Sequence, residues 1–153
     1  FYAGFGLSFA IIIRNLETGL IFSIIPIVLS SVNDIMAYIV GKNFGQNLAF
    51  PNVSPNKTYE GSFGGILSTI LISFLLFNLF NIDIGIYKMV FIGLIISIFG
   101  ILGDFFESLI KRKSGIKDTG NILPGHGGML DRVDSIIFVL PIFYLIISII
   151  IVN

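Results

Sequence analysis

The chain of 153 residues is 55% hydrophobic and 12% charged, with a mean hydropathy of +0.99, whereas soluble domains run at about 45–50% apolar and about 25% charged. These figures exclude an ordinary soluble domain, a disordered chain, a collagen-like repeat and a coiled coil, and they indicate an integral membrane protein. Nine Lys and Arg balance nine Asp and Glu, and Cys is absent, so there is no net basic field to recruit nucleic acid, no disulfide and no thiolate metal site, and oxygen-ligated metals are the expected kind.

Residues 1–13 are an apolar run too short to cross a bilayer, without a basic leader or a small-residue cleavage site, and are expected to be the remaining end of a longer helix. Longer apolar stretches follow at residues 20–41, 64–80, 87–103 and 135–152, each near the roughly 17–25 residues that span a bilayer. They are apolar all round, as helices in lipid or in a buried bundle are, whereas barrel strands would be shorter and would alternate. The expected fold is therefore all-α, a polytopic transmembrane helical bundle in one domain. The short connection at residues 81–86 makes the second and third stretches an antiparallel hairpin.

Counting crossings brings residues 42–63 and 104–134 out on one face of the membrane. That face carries Lys42, Lys57, Lys111, Arg112, Lys113, Lys117 and Arg132, against Arg14 and Lys88 on the other, and the excess of cations predicts that it is cytoplasmic.

Several elements on or near this face carry chemistry. Asp34 lies seven residues before Gly41, buried about 10 Å from the predicted helix end at about 1.5 Å per residue. A carboxylate there needs a partner, either a helix-helix hydrogen bond through Asn33 or Tyr38 or a bound ligand. The run SPNKTYEG at residues 54–61 reads as a helix start, with Ser54 as N-cap and Pro55 in the first turn, and a helix N-terminus beside Lys57 is an anion site. Gly61, Gly64 and Gly65 then let that helix pack closely on another. Asp104 and Glu107, spaced i, i+3 just beyond an apolar stretch, share a helix face, and Asp131 and Asp134 repeat the spacing at the mouth of the last helix. Converging carboxylates without Cys suggest Mg²⁺. Between the two pairs, PGHGG at residues 124–128 holds His126 among glycines whose backbone amides can face a phosphate.

Acids for a divalent metal, with cations and a glycine loop for phosphates, imply phosphoryl or nucleotidyl transfer at the bilayer boundary, and the natural acceptor is an amphiphile whose tails stay in lipid. The bland alternative is a solvated loop with cytoplasmic lysines.

The segment SLIKRKSGIKDTGNILPGHGGMLDRVD, residues 108–134, resembles the signature of the phosphatidate cytidylyltransferase (CDP-diglyceride synthase) family and fills each of its fixed positions. Upstream, DIMAYIVGK at residues 34–42 resembles the family's D-x-x-A-Y…G-[RK] segment, and SPNKTYEG resembles its S-P-x-K-T-x-E-G segment, with Tyr59 in the place of the usual Trp. The family's N-terminal helices are missing, which leaves part of the lipid site outside this stretch. The resemblance implies a multi-pass, Mg²⁺-dependent enzyme of phospholipid synthesis in a bacterial-type plasma membrane, converting CTP and phosphatidic acid to CDP-diacylglycerol and pyrophosphate. Metal is expected on Asp104 and Asp131, with Asp118 and Asp134 next, as outer ligands or for a second ion. Lys111, Arg112, Lys117, Asp118, His126, Arg132 and Asp134 complete the expected catalytic set. Asp34, Ser54, Lys57, Thr58, Glu60, Gly127 and Gly128 are expected to bind substrate, and a homodimer is expected by analogy. Two other readings are a CTP-dependent lipid alcohol kinase, which should not carry this signature intact, and a transporter with Asp34, Asp104 and Glu107 along an ion path. A purely structural subunit is a third.

Overall fold

A computed structural model describes residues 2–51, 53–116 and 133–150. The apolar stretches are helices, because in lipid every backbone amide must be satisfied within its own segment. In chain order the elements are α1 (Tyr2–Arg14), α2 (Gly19–Phe44), β1 (Leu48–Phe50), β2 (Ser54–Thr58), α3 (Tyr59–Leu79), α4 (Ile86–Lys113) and α5 (Asp134–Ile150). Among the described residues, α2, α3 and α4 are long and apolar enough to cross a membrane. The fourth expected span is α5, with 17 residues. Side chains such as Ile11, Leu71, Leu75 and Ile149 point outward and exposed, as lipid-facing residues do.

The expected hairpin is present. α3 and α4 are joined through Asn81 (φ 54°) and Gly85 (φ 78°), two residues in the left-handed region, where Asn and Gly are the tolerated types. Ser73, buried on α3, donates to the carbonyl of Met89 on α4 at 2.8 Å and ties the pair together. α4 runs ten residues beyond the apolar stretch expected at 87–103, so Asp104, Glu107, Lys111 and Arg112 stand on one continuous helix.

The bundle is divided along its length. Phe22, Ile25 and Leu29 from the first half of α2, Phe77 from the end of α3, Ile92 and Ile96 from the first half of α4, and Phe143 and Ile147 from late α5 form a dry core. All of these lie toward the α3–α4 turn. The other half holds the small and polar residues, and there the helices approach through glycine: a Cβ on Gly65 would lie 2.8 Å from the Asn33 carbonyl.

Between α2 and α3 the structure departs from expectation. Ser54 and Pro55 do not open a helix. They belong to β2, which pairs antiparallel with β1 in the register Leu48↔Thr58 and Phe50↔Ser54. Pro55 pushes the residue before it away from helical torsion and is tolerated in a two-stranded ribbon, where one edge needs no donor. The helix starts instead at Tyr59, capped by Thr58, whose Oγ1 accepts the Gly61 N–H at 3.1 Å. Phe50 seats the ribbon on α4 by stacking on Phe105, with ring centroids 4.5 Å apart. Thr58→Ala is expected to cost about 1 kcal/mol through loss of this cap, read as a lower unfolding temperature in detergent.

Candidate active site

The polar half of the bundle encloses a cavity of about 240 Å³ lined by Asn33, Asp34 and Tyr38 of α2, Ser54 and Lys57 of β2, and Asp104 of α4, with Thr58 at the α3 cap. The strand brings Lys57 there: β2 packs against α2 and α3, and its Lys57 ammonium donates to the Asp104 carboxylate in a half-buried ion pair.

Asp104 is a meeting point. Asp134, the first residue of α5, lies close enough for its carboxyl to interact electrostatically with that of Asp104. This contact requires close helix approach, and Gly103 provides it, because a Cβ there would lie 2.9 Å from the Asp134 carbonyl. Asp134 also accepts the Ser135 N–H at 2.9 Å, a cap for the first turn of α5. The Ser135 hydroxyl in turn donates to Asp34 Oδ2 at 3.0 Å. Ser135 thereby bridges carboxyls of α2 and α5, beside Asp104 of α4.

Asp34 is deeper than expected. α2 continues to Phe44, which puts this residue about 15 Å from the helix end at about 1.5 Å per residue. It combines the two roles weighed for it, a helix-helix hydrogen bond and a place on the cavity wall, although the bond across helices comes from Ser135. Neighbouring Asn33 is buried and accepts from Ser97 of α4.

The structure thus gathers Asp34, Ser54, Lys57, Thr58, Asp104 and Asp134. Lys111 is not on the cavity wall and pairs with Glu107 at 3.3 Å. Arg112 donates through Nε to the Val53 carbonyl at 3.3 Å, holding the ribbon to the end of α4. Glu60 is not among the residues that line the cavity, and its contact in this structure is with Asn47. Its Oε1 accepts from the Asn47 side chain at 2.8 Å, which closes the loop that carries Lys57, because a carboxylate in the first turn of α3 points back toward the preceding chain. Lys117, Asp118, His126, Gly127, Gly128, Asp131 and Arg132 lie outside the described residues. Asn33 and Asn56, which also line the cavity, and Ser135, which bonds Asp34, were not singled out as site residues. For Ser135 the available signal was a small polar residue directly beside an acid at a helix mouth, which is a weak one.

Three carboxyls and one ammonium leave this end of the bundle rich in hard oxygen donors, the kind that Mg²⁺ takes. Among the described residues no three acidic or histidine side chains are arranged to enclose a metal by themselves. The donor chemistry fits a divalent cation, with Asp104 and Asp134 as a partial set.

Comparison with known proteins adds the following. The model of the cytidylyltransferase family matches residues 1–150. Phosphatidate cytidylyltransferase of Staphylococcus epidermidis is 41% identical over 137 residues, which are 90% of this chain and 53% of that protein. The Bacillus subtilis protein of the same name is 41% identical over 148 residues, 96% of this chain and 55% of its own length. The chain spans about half the length of the curated relatives it matches.

Proposed function

The chain belongs to the cytidylyltransferase family, and from that premise we propose that it forms the catalytic portion of an enzyme converting CTP and phosphatidate to CDP-diacylglycerol and pyrophosphate, a step of phospholipid synthesis. One observation carries this reading beyond family membership: Lys57 and Asp104, distant in sequence, are joined at the wall of a cavity in a bundle whose outer surface is apolar. A lipid phosphate can reach such a cavity while its tails stay in the bilayer.

In the proposed reaction an ionised phosphatidate oxygen attacks the α-phosphorus of CTP, a new P–O bond forms, the bond to the β-phosphate breaks, and pyrophosphate leaves. No general base is needed, because the attacking oxygen carries no proton to remove at neutral pH. Lys57, Lys111 and Arg112 neutralise phosphate oxygens, with Lys117, Arg132 and His126 assigned beside them. Asp34, Ser54 and Thr58 shape the pocket. Mg²⁺ held by Asp104 and Asp131, with Asp118 and Asp134 as outer or second-ion ligands, would supply charge neutralisation on the phosphates. The ribbon end of the bundle, with Lys42, Lys57, Lys111, Arg112 and Lys113, is assigned to the cytoplasmic side of a bacterial-type plasma membrane, and Arg14 and Lys88 to the opposite side.

The test is incubation of the full-length protein in detergent with phosphatidate, Mg²⁺ and CTP labelled at the α-phosphorus. Label is expected in the organic phase, dependent on phosphatidate and abolished by EDTA. Label that stays in water while γ-labelled CTP marks an added lipid alcohol would make the protein a kinase. Consumption of neither would favour an ion path.

A further inference from the structure

α4 carries two lysine-carboxylate pairs toward its last turns, and only one faces the cavity. Asp104 meets Lys57 there. One turn later Glu107 is turned into the protein, its side chain 2% exposed, and reaches Lys111 at 3.3 Å, with the Lys111 side chain 14% exposed. Arg112 and Lys113, on the same last turn, are exposed.

An i, i+4 pair that only steadies a helix sits on the solvated side, where neither charge loses its water. Here a carboxylate is kept inside, at the end of an apolar helix, where it is costly without a function for its charge. Lys111 could extend into water as its neighbours do, yet it lies folded along the helix. The ion pair fixes where the Lys111 ammonium sits along α4. A cation held in advance also loses less side-chain freedom on binding.

We propose that Glu107 is a positioning residue: its buried carboxylate holds the Lys111 ammonium along α4, at the site end of the bundle, where it meets nucleotide phosphate. The proposal rests on the reading of Lys111 as a phosphate-binding residue given above.

The test uses the full-length protein in detergent with Glu107→Gln, Glu107→Asp, Lys111→Met and the Gln/Met double variant. Glu107→Gln is expected to raise KM for CTP about tenfold, the scale of one charged hydrogen bond, and to leave KM for phosphatidate within about twofold. Glu107→Asp should give a smaller rise of the same kind, and it carries the test if the Gln variant fails to fold. The double variant should be no worse than Lys111→Met alone, since Glu107 acts through Lys111. Independently of turnover, acylation of Lys111 by an amine-reactive ester, followed by mass spectrometry, should be slower than that of Lys113 and should speed up in Glu107→Gln. Additive losses in the double variant, or Lys111 acylated as fast as Lys113 in the unaltered protein, would overturn the proposal. If the unaltered protein transfers no nucleotide, the functional reading fails and the phosphate role with it, while the acylation rates still decide whether Glu107 holds Lys111.

Discussion

Asp104→Asn is expected to slow transfer of CMP to phosphatidate by about 1000-fold, with the protein still inserted and unfolding at nearly its original temperature. Asp104 joins the ribbon lysine, the first residue of α5 and the cavity wall. An amide of equal size keeps the packing. It cannot balance the Lys57 ammonium or a divalent cation. Stability should change little, because the lost ion pair is partly exposed and loss of the Asp104 charge relieves repulsion with Asp34 and Asp134, two opposed and individually modest effects. The measurement pairs the labelled-lipid assay with a thermal melt in detergent. Activity retained within a factor of about ten would remove Asp104 from the reaction.

The second large effect is expected at a residue with no functional group. Gly61 lies where the first turn of α3 crosses α2, and a Cβ there would lie 2.5 Å from the Ala37 carbonyl and 3.0 Å from the Gly41 Cα. Both neighbours are backbone, so neither can yield by turning a side chain. Gly61→Ala should destabilise the protein by about 1–3 kcal/mol. It should also cost activity beyond the loss of folded protein, because moving α3 moves Thr58 and, with it, Lys57 away from Asp104. Gly4→Ala is the contrasting case. Nothing lies within 4 Å of that position, so the change should be neutral or stabilising by up to about 1 kcal/mol through helix propensity. Equal melting temperatures for the two variants would show that α2 and α3 do not pack this closely.

The membrane helices were legible because lipid imposes a single rule on the backbone, and composition reports it directly. The α3–α4 hairpin followed from a short connection, and counting crossings anticipated that residues 53–58 and the end of α4 meet at one end of the bundle. The ribbon was not legible. Ser-Pro is as good a helix start as it is an extended pair, and what decided between them was pairing with Leu48–Phe50 and the seat of Phe50 on Phe105. The direction of the Glu60 side chain was not legible for a related reason. Its place in a motif said nothing about direction, and its direction follows from the helix start at Tyr59, which turns the carboxylate back onto Asn47.

The sequence by itself determined that this is a helical membrane protein, that its cations and acids collect toward one end, and which acids and lysines are candidates for chemistry. These properties are additive along the chain: hydropathy, spacing and charge are each read locally. Tertiary structure alone decided which candidates meet. Asp34, Asp104 and Asp134 converge because Gly103 admits the mouth of α5 beside Asp104 and Ser135 bridges to α2. Lys57 faces Asp104 because a strand, not a helix, carries it across the bundle. Such meetings depend on close approach between elements far apart in sequence, and that distance is set by packing, which no local pattern encodes.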